Sequence, residues 1–464
     1  MAEHFDNISE INQSARCFDI LSKGMYHRLF PKHLEISPQL NEVYELALAF
    51  YESQLLTDDE IIQNGAYFVR VNKRHTRHFQ MCTGNSVLLP NYSSSRLKSF
   101  FKNNQFRTGY ATHGLFPYRG KFHPQMIKAL MNIMGLKPGD TVLDPMMGSG
   151  TVPIEACLMG LKSIGFDTSP FCRFMAQTKF DALALPRKYI QIAMQDHKGV
   201  FDQFVKNVGH PVQNSKSHDN RRIKNQNIEA PLSQIDCFKQ FSGISESDQA
   251  NVYNFLLLAY LDSAGYSERS KSRSPIEQFR SILERYFFVV EKIQRVMECM
   301  DFEIGEAIIL EGDARSLNLS NQSVDGILFS PPYSFAIDYL ENDAFHLGTM
   351  GIDITALQKK MIGLRGRTIR NKFDLYIEDM DKVLSECSRV LKPDHFCTIV
   401  VGTNDNQLSK ALGMPKEEVP GLHQILIENA SKHGFSLVRS LARRISGIAN
   451  TMRDEYILIL RRKK

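Results

Sequence analysis

Two short apolar stretches, each ending in a distinctive turn, constrain the fold more than any other feature of this sequence. The first, Thr141-Val142-Leu143, runs into DPMMGSGT at residues 144–151 and then into an apolar helical segment. Two glycines in such a turn let backbone N–H groups approach a ligand, and the next helix adds its positive N-terminal dipole. The second stretch, residues 324–329, runs into Ser-Pro-Pro-Tyr at 330–333, where prolines fix the backbone. Together the motifs predict a ligand site at the ends of two buried strands.

From about residue 141, apolar strands alternate with helical segments, which is typical of a mostly parallel sheet covered on both faces. The predicted strands are 141–143, 163–166, 307–310, 325–329, 396–401, 436–443 and 456–461. The predicted helices are 152–161, 171–185, 373–391 and 422–433. Asp144, Asp167 and Asp313 follow the first three strands. Since the carboxyl ends of parallel strands share one edge, where open α/β folds bind ligands, we expect these carboxylates at one site.

On these residues the chain resembles the class I S-adenosylmethionine-dependent methyltransferases, from about residue 113 to the C-terminus. The resemblance implies an α/β, Rossmann-like fold with a seven-stranded, mostly parallel sheet that ends in a β-hairpin. The tetrad at 330–333 resembles that of the branch that methylates amino groups. Within that branch it most often accompanies cytosine-N4 methylation of DNA.

The length of 464 residues predicts two or three domains. Residues 1–108 lack the strand–helix alternation and are interpreted as an N-terminal accessory region, with an amphipathic helix near residues 40–56. Residues 109–464 form the predicted methyltransferase domain, interrupted by a helical insertion at about 187–303. Ser274-Pro275-Ile276-Glu277, inside the insertion, has the proline and the capping glutamate of a helix start. The insertion is either structural or in contact with the substrate.

The resemblance also assigns a site to the cofactor S-adenosylmethionine. It implies that Asp144 pairs with the ammonium group, Asp167 accepts from the ribose diol and Asp313 accepts from the adenine amino group. It places His123, in the segment HGLFPYRGKFHP before the first strand, near the cofactor's carboxylate. The turn lies against the methionine portion, and its candidate residues are Pro145, Gly148, Ser149, Gly150 and Thr151.

The Ser-Pro-Pro-Tyr tetrad is the predicted catalytic lip. Because the lone pair of an exocyclic amine is delocalised into the ring, the site must reshape that nitrogen and hold it in line with the methyl group. The Ser330 hydroxyl and the Pro331 carbonyl can accept the two amine hydrogens, Pro332 keeps the segment rigid, and Tyr333 offers a ring for stacking of a flipped base. No cysteine lies in this tetrad, which argues against cytosine-C5 chemistry through a thiolate.

Serine in the first position of the tetrad favours cytosine-N4 methylation of double-stranded DNA by direct methyl transfer. Adenine-N6 methylation of DNA is the next alternative, then guanine-N2 methylation of tRNA, then a non-catalytic nucleic-acid-binding subunit. A restriction or other defence protein as partner follows from the resemblance alone. Arg365 and Arg367, about thirty residues after the tetrad, are candidate contacts to phosphates or to a base edge.

Composition argues against several other classes of protein. A net charge of +5 and a pI near 8.6 are compatible with a nucleic-acid partner. No apolar run reaches 18 residues and the N-terminal segment is polar, so neither a membrane span nor a signal peptide is expected. Eight scattered cysteines without CxxC spacing indicate a cytoplasmic protein without disulfides or zinc. His113 and His123 lack a third ligand nearby in sequence, so we expect no metal.

Overall fold

The structure is a computed structural model of the chain. It describes residues 29–38, 40, 42–84, 87, 89, 91, 93–102, 105, 106, 108–118, 120–208, 232–239, 244–269, 273–332, 339–444 and 454–464. Tyr333, the last residue of the predicted lip, lies outside the described residues.

The N-terminal region contains a small antiparallel sheet and short helices. Its strands are β1 (Leu34–Ile36), β2 (Phe68–Val71) and β3 (Arg74–His75). Its helices are α1 (Val43–Leu55), α2 (Asp58–Asn64), α3 (Arg77–Cys82) and α4 (Ser95–Phe100). The helix predicted near residues 40–56 is confirmed as α1. The turn between β2 and β3 has positive φ at both Asn72 and Lys73, as a tight hairpin requires.

The centre of the molecule is a seven-stranded sheet. Its strands are β4 (Thr141–Asp144), β5 (Lys162–Asp167), β6 (Ala307–Glu311), β7 (Val324–Phe329), β8 (Leu391–Gly402), β9 (Phe435–Arg444) and β10 (Asp454–Arg462). The spatial order is β6-β5-β4-β7-β8-β10-β9. Strand β10 is antiparallel to both of its neighbours, and the other pairings are parallel. The predicted class I methyltransferase sheet with its terminal hairpin is confirmed.

The strand order decides where a ligand can bind. The chain runs outward from β4 through β5 to β6, then returns to place β7 on the other side of β4. Leu143 of β4 pairs with Ile327 of β7 in register. A crevice forms at such a switch point, outside the carboxyl ends of the two strands. The glycine turn after β4 and Ser330-Pro331-Pro332 after β7 therefore both lie at this crevice.

Helices cover both faces of the sheet, as the alternating pattern predicts. They are α5 (Pro124–Ile133), α6 (Thr151–Leu158), α7 (Pro170–Asp181), α8 (Arg187–Gln195), α9 (His197–Val208), α10 (Glu246–Arg269), α11 (Pro275–Met300), α12 (Tyr339–Thr349), α13 (Ile354–Gln358), α14 (Ile369–Val390), α15 (Asp405–Leu412) and α16 (Leu422–Lys432). Short 3-10 helices lie at Ala111–Gly114, Leu232–Gln234, Asp236–Phe238 and Lys416–Glu418. Strand β8 begins at Leu391, five residues before the predicted start, and so includes Pro393.

The insertion packs into the methyltransferase domain. Its helices α10 and α11 share one apolar cluster with Phe171 of α7 and Leu347 of α12. Tyr286 of α11 accepts a hydrogen bond from the backbone N–H of Phe116, at 2.8 Å, in the loop before α5. At the start of α11, the side chains of Ser274 and Glu277 form the predicted capping box. The insertion thus supports the segment that precedes the first strand of the large sheet.

The N-terminal region is fixed to α5 by a buried carboxylate. Glu52 of α1 accepts hydrogen bonds from the side chain of Asn132 at 2.6 Å and from the backbone of Ala66 at 3.0 Å. Gln125 donates to the carbonyl of Ala66 at 2.8 Å. Burial raises the pKa of Glu52 to about 7. Because buried polar groups must be paired, this network fixes how α1 lies on α5.

Truncating a side chain in the central sheet should destabilise the whole domain. Leu328 of β7 is fully buried, so Leu328→Ala should lower the free energy of unfolding by about 2–5 kcal/mol through lost burial and a residual cavity. Urea denaturation measures this. The control is Leu437→Ala on the edge strand β9, where the side chain is 42% exposed, with an expected change within about 0.5 kcal/mol. Equal effects of the two variants would contradict the assignment of the core.

Candidate active site

The site begins where β4 ends. Asp144 is fully buried, and its Oδ1 accepts a hydrogen bond from the backbone N–H of Met146 at 3.0 Å. Its Oδ2 is buried and has no hydrogen-bond partner among the described residues. Burial raises the pKa of Asp144 well above its ordinary value, and repulsion from Asp167 adds to this shift. An unpaired buried carboxylate oxygen indicates a place for a cationic or hydrogen-bonding ligand.

The glycine turn needs its glycines for two different reasons. Gly148 has φ +49° and Gly150 has φ +78°, a region that other residues rarely adopt. A Cβ at Gly150 would also lie 2.8 Å from the Cβ of Ala176 in α7. Gly150 therefore lets α6 and α7 pack closely. Gly148, where an added Cβ would meet nothing nearer than 3.7 Å, keeps the backbone open toward the crevice.

Asp167 joins the end of β5 to the glycine turn. One carboxylate oxygen accepts from the backbone N–H of Gly148 and the other from that of Ser169, both at 2.8 Å. Burial raises the pKa of Asp167 to about 6, although both hydrogen bonds act in the opposite direction. The carboxylate keeps further lone pairs toward the crevice, so it can still accept from a ligand.

Asp313 has a different environment from the other two aspartates. Its carboxylate forms a bidentate pair with Arg315, which also reaches the buried Asp379 at 2.9 Å. The pKa of Asp313 is lowered because the hydrogen bonds and charge of Arg315 outweigh its partial burial. The backbone N–H of Arg315 also donates to Asp313, at 3.0 Å. Two carboxylate oxygens have about four acceptor positions, so these three donors of Arg315 leave capacity for one more.

The lip and the turn line one open cleft, whose empty space together with the solvent at its mouth amounts to about 940 Å³. Ser330, Pro331 and Pro332 form one side, and Asp167 lies on the opposite side. Of the predicted residues of the glycine turn, Pro145, Gly148, Ser149 and Thr151 line the cleft, whereas Asp144 and Gly150 do not. A second hollow adjoins it at Thr168 and is lined by Asp313. The structure therefore brings the two motifs together, and the stacking role of Tyr333 stays a prediction.

The segment before α5 contributes residues other than the predicted histidine. Tyr118, Lys121 and Phe122 line the cleft. His123 occupies the N-cap position of α5, without a capping hydrogen bond from its side chain, and is not among the lining residues that the structure describes. Burial lowers the pKa of His123 to about 3, so its imidazole is neutral. The Lys121 ammonium donates to two backbone carbonyls, those of Thr108 and His113, at 2.9 Å each. A cofactor contact by His123 stays a prediction.

The sequence analysis missed an acidic residue in this cleft. Asp343 of α12 is buried and faces the cleft with Leu340, three positions earlier on the same helix face. Burial raises the pKa of Asp343 to about 7, with a smaller contribution from Asp167, while a hydrogen bond from Tyr118 lowers it. Residues 341–343 read Glu-Asn-Asp, so the sequence by itself does not distinguish Asp343 from its polar neighbours.

The structure separates the two predicted arginines. Arg365 forms an ion pair with the buried carboxylate of Asp379 at 2.5 Å, so much of its charge is neutralised within the protein. Arg367 is exposed and forms no ion pair with any residue in the described part of the chain. Of the two, only Arg367 presents an unneutralised guanidinium to solvent.

Among the residues that the structure describes, no group of three or more histidine, cysteine, aspartate or glutamate side chains has an arrangement that could hold a metal ion. In the same ranges, every helix is too short or too polar to cross a bilayer.

Comparison with protein families identifies the domain. Residues 115–209, which include the glycine turn and Asp167, match the family described as UPF0020, RMKL-like, methyltransferase domain. The strand order of the sheet agrees with this match. The chain has the fold of the class I methyltransferases. Its cofactor is S-adenosylmethionine.

Three curated relatives share parts of the sequence. Type II methyltransferase M.MjaII of Methanocaldococcus jannaschii is 35% identical over 97 residues, 21% of this chain and 18% of the relative. Type II methyltransferase M.BsoBI of Geobacillus stearothermophilus is 21% identical over 306 residues, which are 58% of this chain and 59% of the relative. A tRNA (guanine(10)-N2)-dimethyltransferase of Methanothermobacter thermautotrophicus is 42% identical over 52 residues, which are 11% of this chain and 16% of the relative. The chain thus covers less than two thirds of each of these relatives.

Replacing Asp167 should weaken cofactor binding. Asp167→Ala removes the acceptor facing the cleft and the partner of the Gly148 N–H, so the affinity for S-adenosylmethionine should fall by about 1–3 kcal/mol. Isothermal titration calorimetry measures this. The control is Asp59→Ala, an exposed position on α2, for which wild-type affinity is expected. Wild-type affinity of Asp167→Ala would show that the ribose does not bind at this carboxylate.

Proposed function

We propose that this protein transfers the methyl group of S-adenosylmethionine to an exocyclic amine of a nucleic-acid base, with cytosine-N4 of double-stranded DNA as the target. One observation supports this proposal above all others. The pairing of β4 with β7 brings the glycine turn and Ser330-Pro331-Pro332 to opposite sides of one cleft. A methyl donor at the turn and an amine at the lip would then lie within reach of each other.

The residues present fit the cofactor. The unpaired Oδ2 of Asp144 would accept from its ammonium group, through a position just behind the turn. Asp167 would accept from the ribose hydroxyls, and Asp313, in the adjoining hollow, from the adenine amino group. When bound, the cofactor supplies a methyl group on a positively charged sulfur. The carboxylates of Asp144 and Asp167 would favour that charge electrostatically, whereas that of Asp313 is already paired with Arg315.

The lip supplies two acceptors for the target amine. In the described part of the chain, the Ser330 hydroxyl donates one long hydrogen bond of 3.5 Å, to the carbonyl of Pro331. Because proline has no N–H, neither Pro331 nor Pro332 can donate a backbone hydrogen bond to that carbonyl. Hydroxyl and carbonyl would accept the two amine hydrogens, drawing the nitrogen toward tetrahedral geometry and exposing its lone pair to the methyl group. Tyr333 would stack on the flipped base.

The choice of DNA rests on the relatives. Two of the three are type II methyltransferases, and the match to M.BsoBI extends over 306 residues, the longest of the three. Guanine-N2 of tRNA is the second candidate, because the most identical stretch belongs to a tRNA (guanine(10)-N2)-dimethyltransferase. Serine at position 330 favours cytosine-N4 over adenine-N6, which is the other DNA alternative. A restriction or other defence protein as partner, and a cytoplasmic location, belong to the same proposal.

Product analysis tests the proposal directly. Duplex DNA and tRNA are incubated separately with the protein and methyl-labelled cofactor, and nucleosides are identified by mass spectrometry. We expect N4-methylcytosine from DNA. We expect Tyr333→Ala to keep its cofactor affinity but lose most turnover, because the base loses its stacking partner. N6-methyladenine in the DNA would instead identify adenine-N6 as the target, and label in tRNA alone would refute the DNA assignment.

Arg367 should contact a phosphate if nucleic acid lies across the lip. Arg367→Ala should weaken DNA binding and lower the slope of log affinity against log salt by about one unit, the effect of one lost phosphate contact. Fluorescence anisotropy at several salt concentrations measures this. The control is Lys382→Ala on α14, whose ammonium pairs with Glu378 at 2.7 Å. An unchanged slope would make Arg367 an ordinary surface residue.

A further inference from the structure

We infer that Asp343 reads the ring edge of the target base as a neutral carboxylic acid, beside the amine that the lip holds. In this role it determines which bases are accepted and which nitrogen is methylated. The inference rests on the proposed function, because it requires a base at the lip.

The position of Asp343 supports this role. Helix α12 begins at Tyr339, shortly after the tetrad, and its residues Leu340 and Asp343 line the same cleft as Ser330 and Pro332. The side chain of Asp343 is buried, with the residue only 8% exposed. A carboxyl at this place is not needed for the amine hydrogens, since the lip already has two acceptors for them. It is instead available to the rest of the base.

The surroundings of Asp343 favour its neutral form. Burial is the main cause of its raised pKa, and the negative charge of Asp167 adds to it. The thiol of Cys172 on α7 lies 3.4 Å from the Tyr118 hydroxyl, and burial raises the pKa of that thiol as well, so it carries no charge. Among the described residues lining the cleft, the only Lys or Arg side chain is Lys121, which donates to backbone carbonyls. Burial lowers the pKa of Lys121 to about 7, so its titration must be separated from that of Asp343 by the Asp343 variants.

The other acidic groups near α12 belong to separate interactions. Asp262, on the neighbouring helix α10, forms a buried ion pair with Arg285 of the insertion. Asp353 caps α13 by accepting from the backbone N–H groups of Thr355 and Ala356. Asp343 therefore takes part in neither pair. Its described partner is the Tyr118 hydroxyl, which donates to the Asp343 carboxyl, and Asp343 itself lines the cleft.

A neutral carboxyl has the hydrogen-bonding pattern that cytosine requires. Its O–H can donate to N3, the ring nitrogen beside the amino group of cytosine, or to N1 of adenine. The 2-amino group of guanine lies between N1–H and N3, so a carboxyl O–H could donate on the N3 side only. A donor on N3 also occupies the ring lone pair, which is more nucleophilic than the delocalised lone pair of the amine. The methyl group is thereby directed to N4.

The test is the pH dependence of DNA methylation at saturating cofactor, measured as kcat/KM for DNA. If the neutral form is required, kcat/KM should fall about tenfold per pH unit above a pH near 7 in the wild type. Asp343→Asn, whose amide donates at every pH, should remove this decline between pH 6 and 8.5. Asp343→Leu should lose about tenfold to a hundredfold at pH 6.5, since it has no donor.

Two further variants make the test specific. Tyr118→Phe removes the hydrogen bond that lowers the pKa of Asp343, so the decline should move to higher pH. This shift can be measured even if Asp343→Asn unfolds, which thermal denaturation would reveal. Asp59→Asn, an exposed position on α2, is the matched control and should show the wild-type profile.

Three results would overturn the inference. The first is a wild-type rate that rises through pH 7 together with an inactive Asp343→Asn, because the carboxylate would then be a proton acceptor. The second is an unchanged alkaline decline in Asp343→Asn. The third is a loss of cofactor affinity greater than tenfold in Asp343→Asn with an unaltered pH profile. The proposed function fails separately, when the wild-type product is not a methylated base of DNA, whatever these variants do.

Discussion

The site depends on one interaction, the pair of hydrogen bonds that Asp167 accepts from the backbone of Gly148 and Ser169. The turn after β4 is held in a conformation with positive φ at Gly148 and Gly150, which has no regular backbone ladder to stabilise it. A buried carboxylate bonded to backbone N–H groups supplies that stability, and charge-assisted bonds of this kind are stronger than neutral ones. The same side chain that shapes the turn also faces the cleft, so loop geometry and ligand binding are coupled through it.

Three buried carboxyl groups are concentrated at or just beside the cleft. Burial raises the pKa of Asp144, of Asp167 and of Asp343, which means that each carboxylate is less stable here than in water. In the proposed site, a cationic cofactor would offset part of that desolvation, and the fixed orientation of the carboxylates would avoid reorganisation when it binds. Asp313 differs because Arg315 neutralises it, and Arg315 in turn connects it through Asp379 to Arg365. Arg365 is thus linked by ion pairs to Asp313, which follows β6 at the carboxyl edge of the sheet.

Sequence patterns predicted the large sheet closely, because its strands are continuous apolar runs ended by strong stop signals. The bounds of β5, β6 and β7 differ from prediction by at most one residue at each end. Helix α14 starts four residues before the predicted start and ends at Val390, one residue before the predicted end. The insertion was predicted as helical, but its shared core with α7 and α12 was not. Packing between residues more than a hundred positions apart leaves no periodic signal in a single sequence, so Tyr286 beneath Phe116 could be found only in the fold.

The sequence by itself determined the order of strands and helices, the two turns and the acidic strand ends, because local propensity and short-range turn chemistry specify these features. The tertiary structure alone decided which side chains face the cleft. Asp343 lines the same cleft as the lip, and His123 lies at the N-cap position of α5. Arg365 forms an ion pair within the protein, whereas Arg367 is exposed. The physical reason is that burial, charge neutralisation and hydrogen-bond partners depend on elements distant along the chain, which meet only when the sheet assembles.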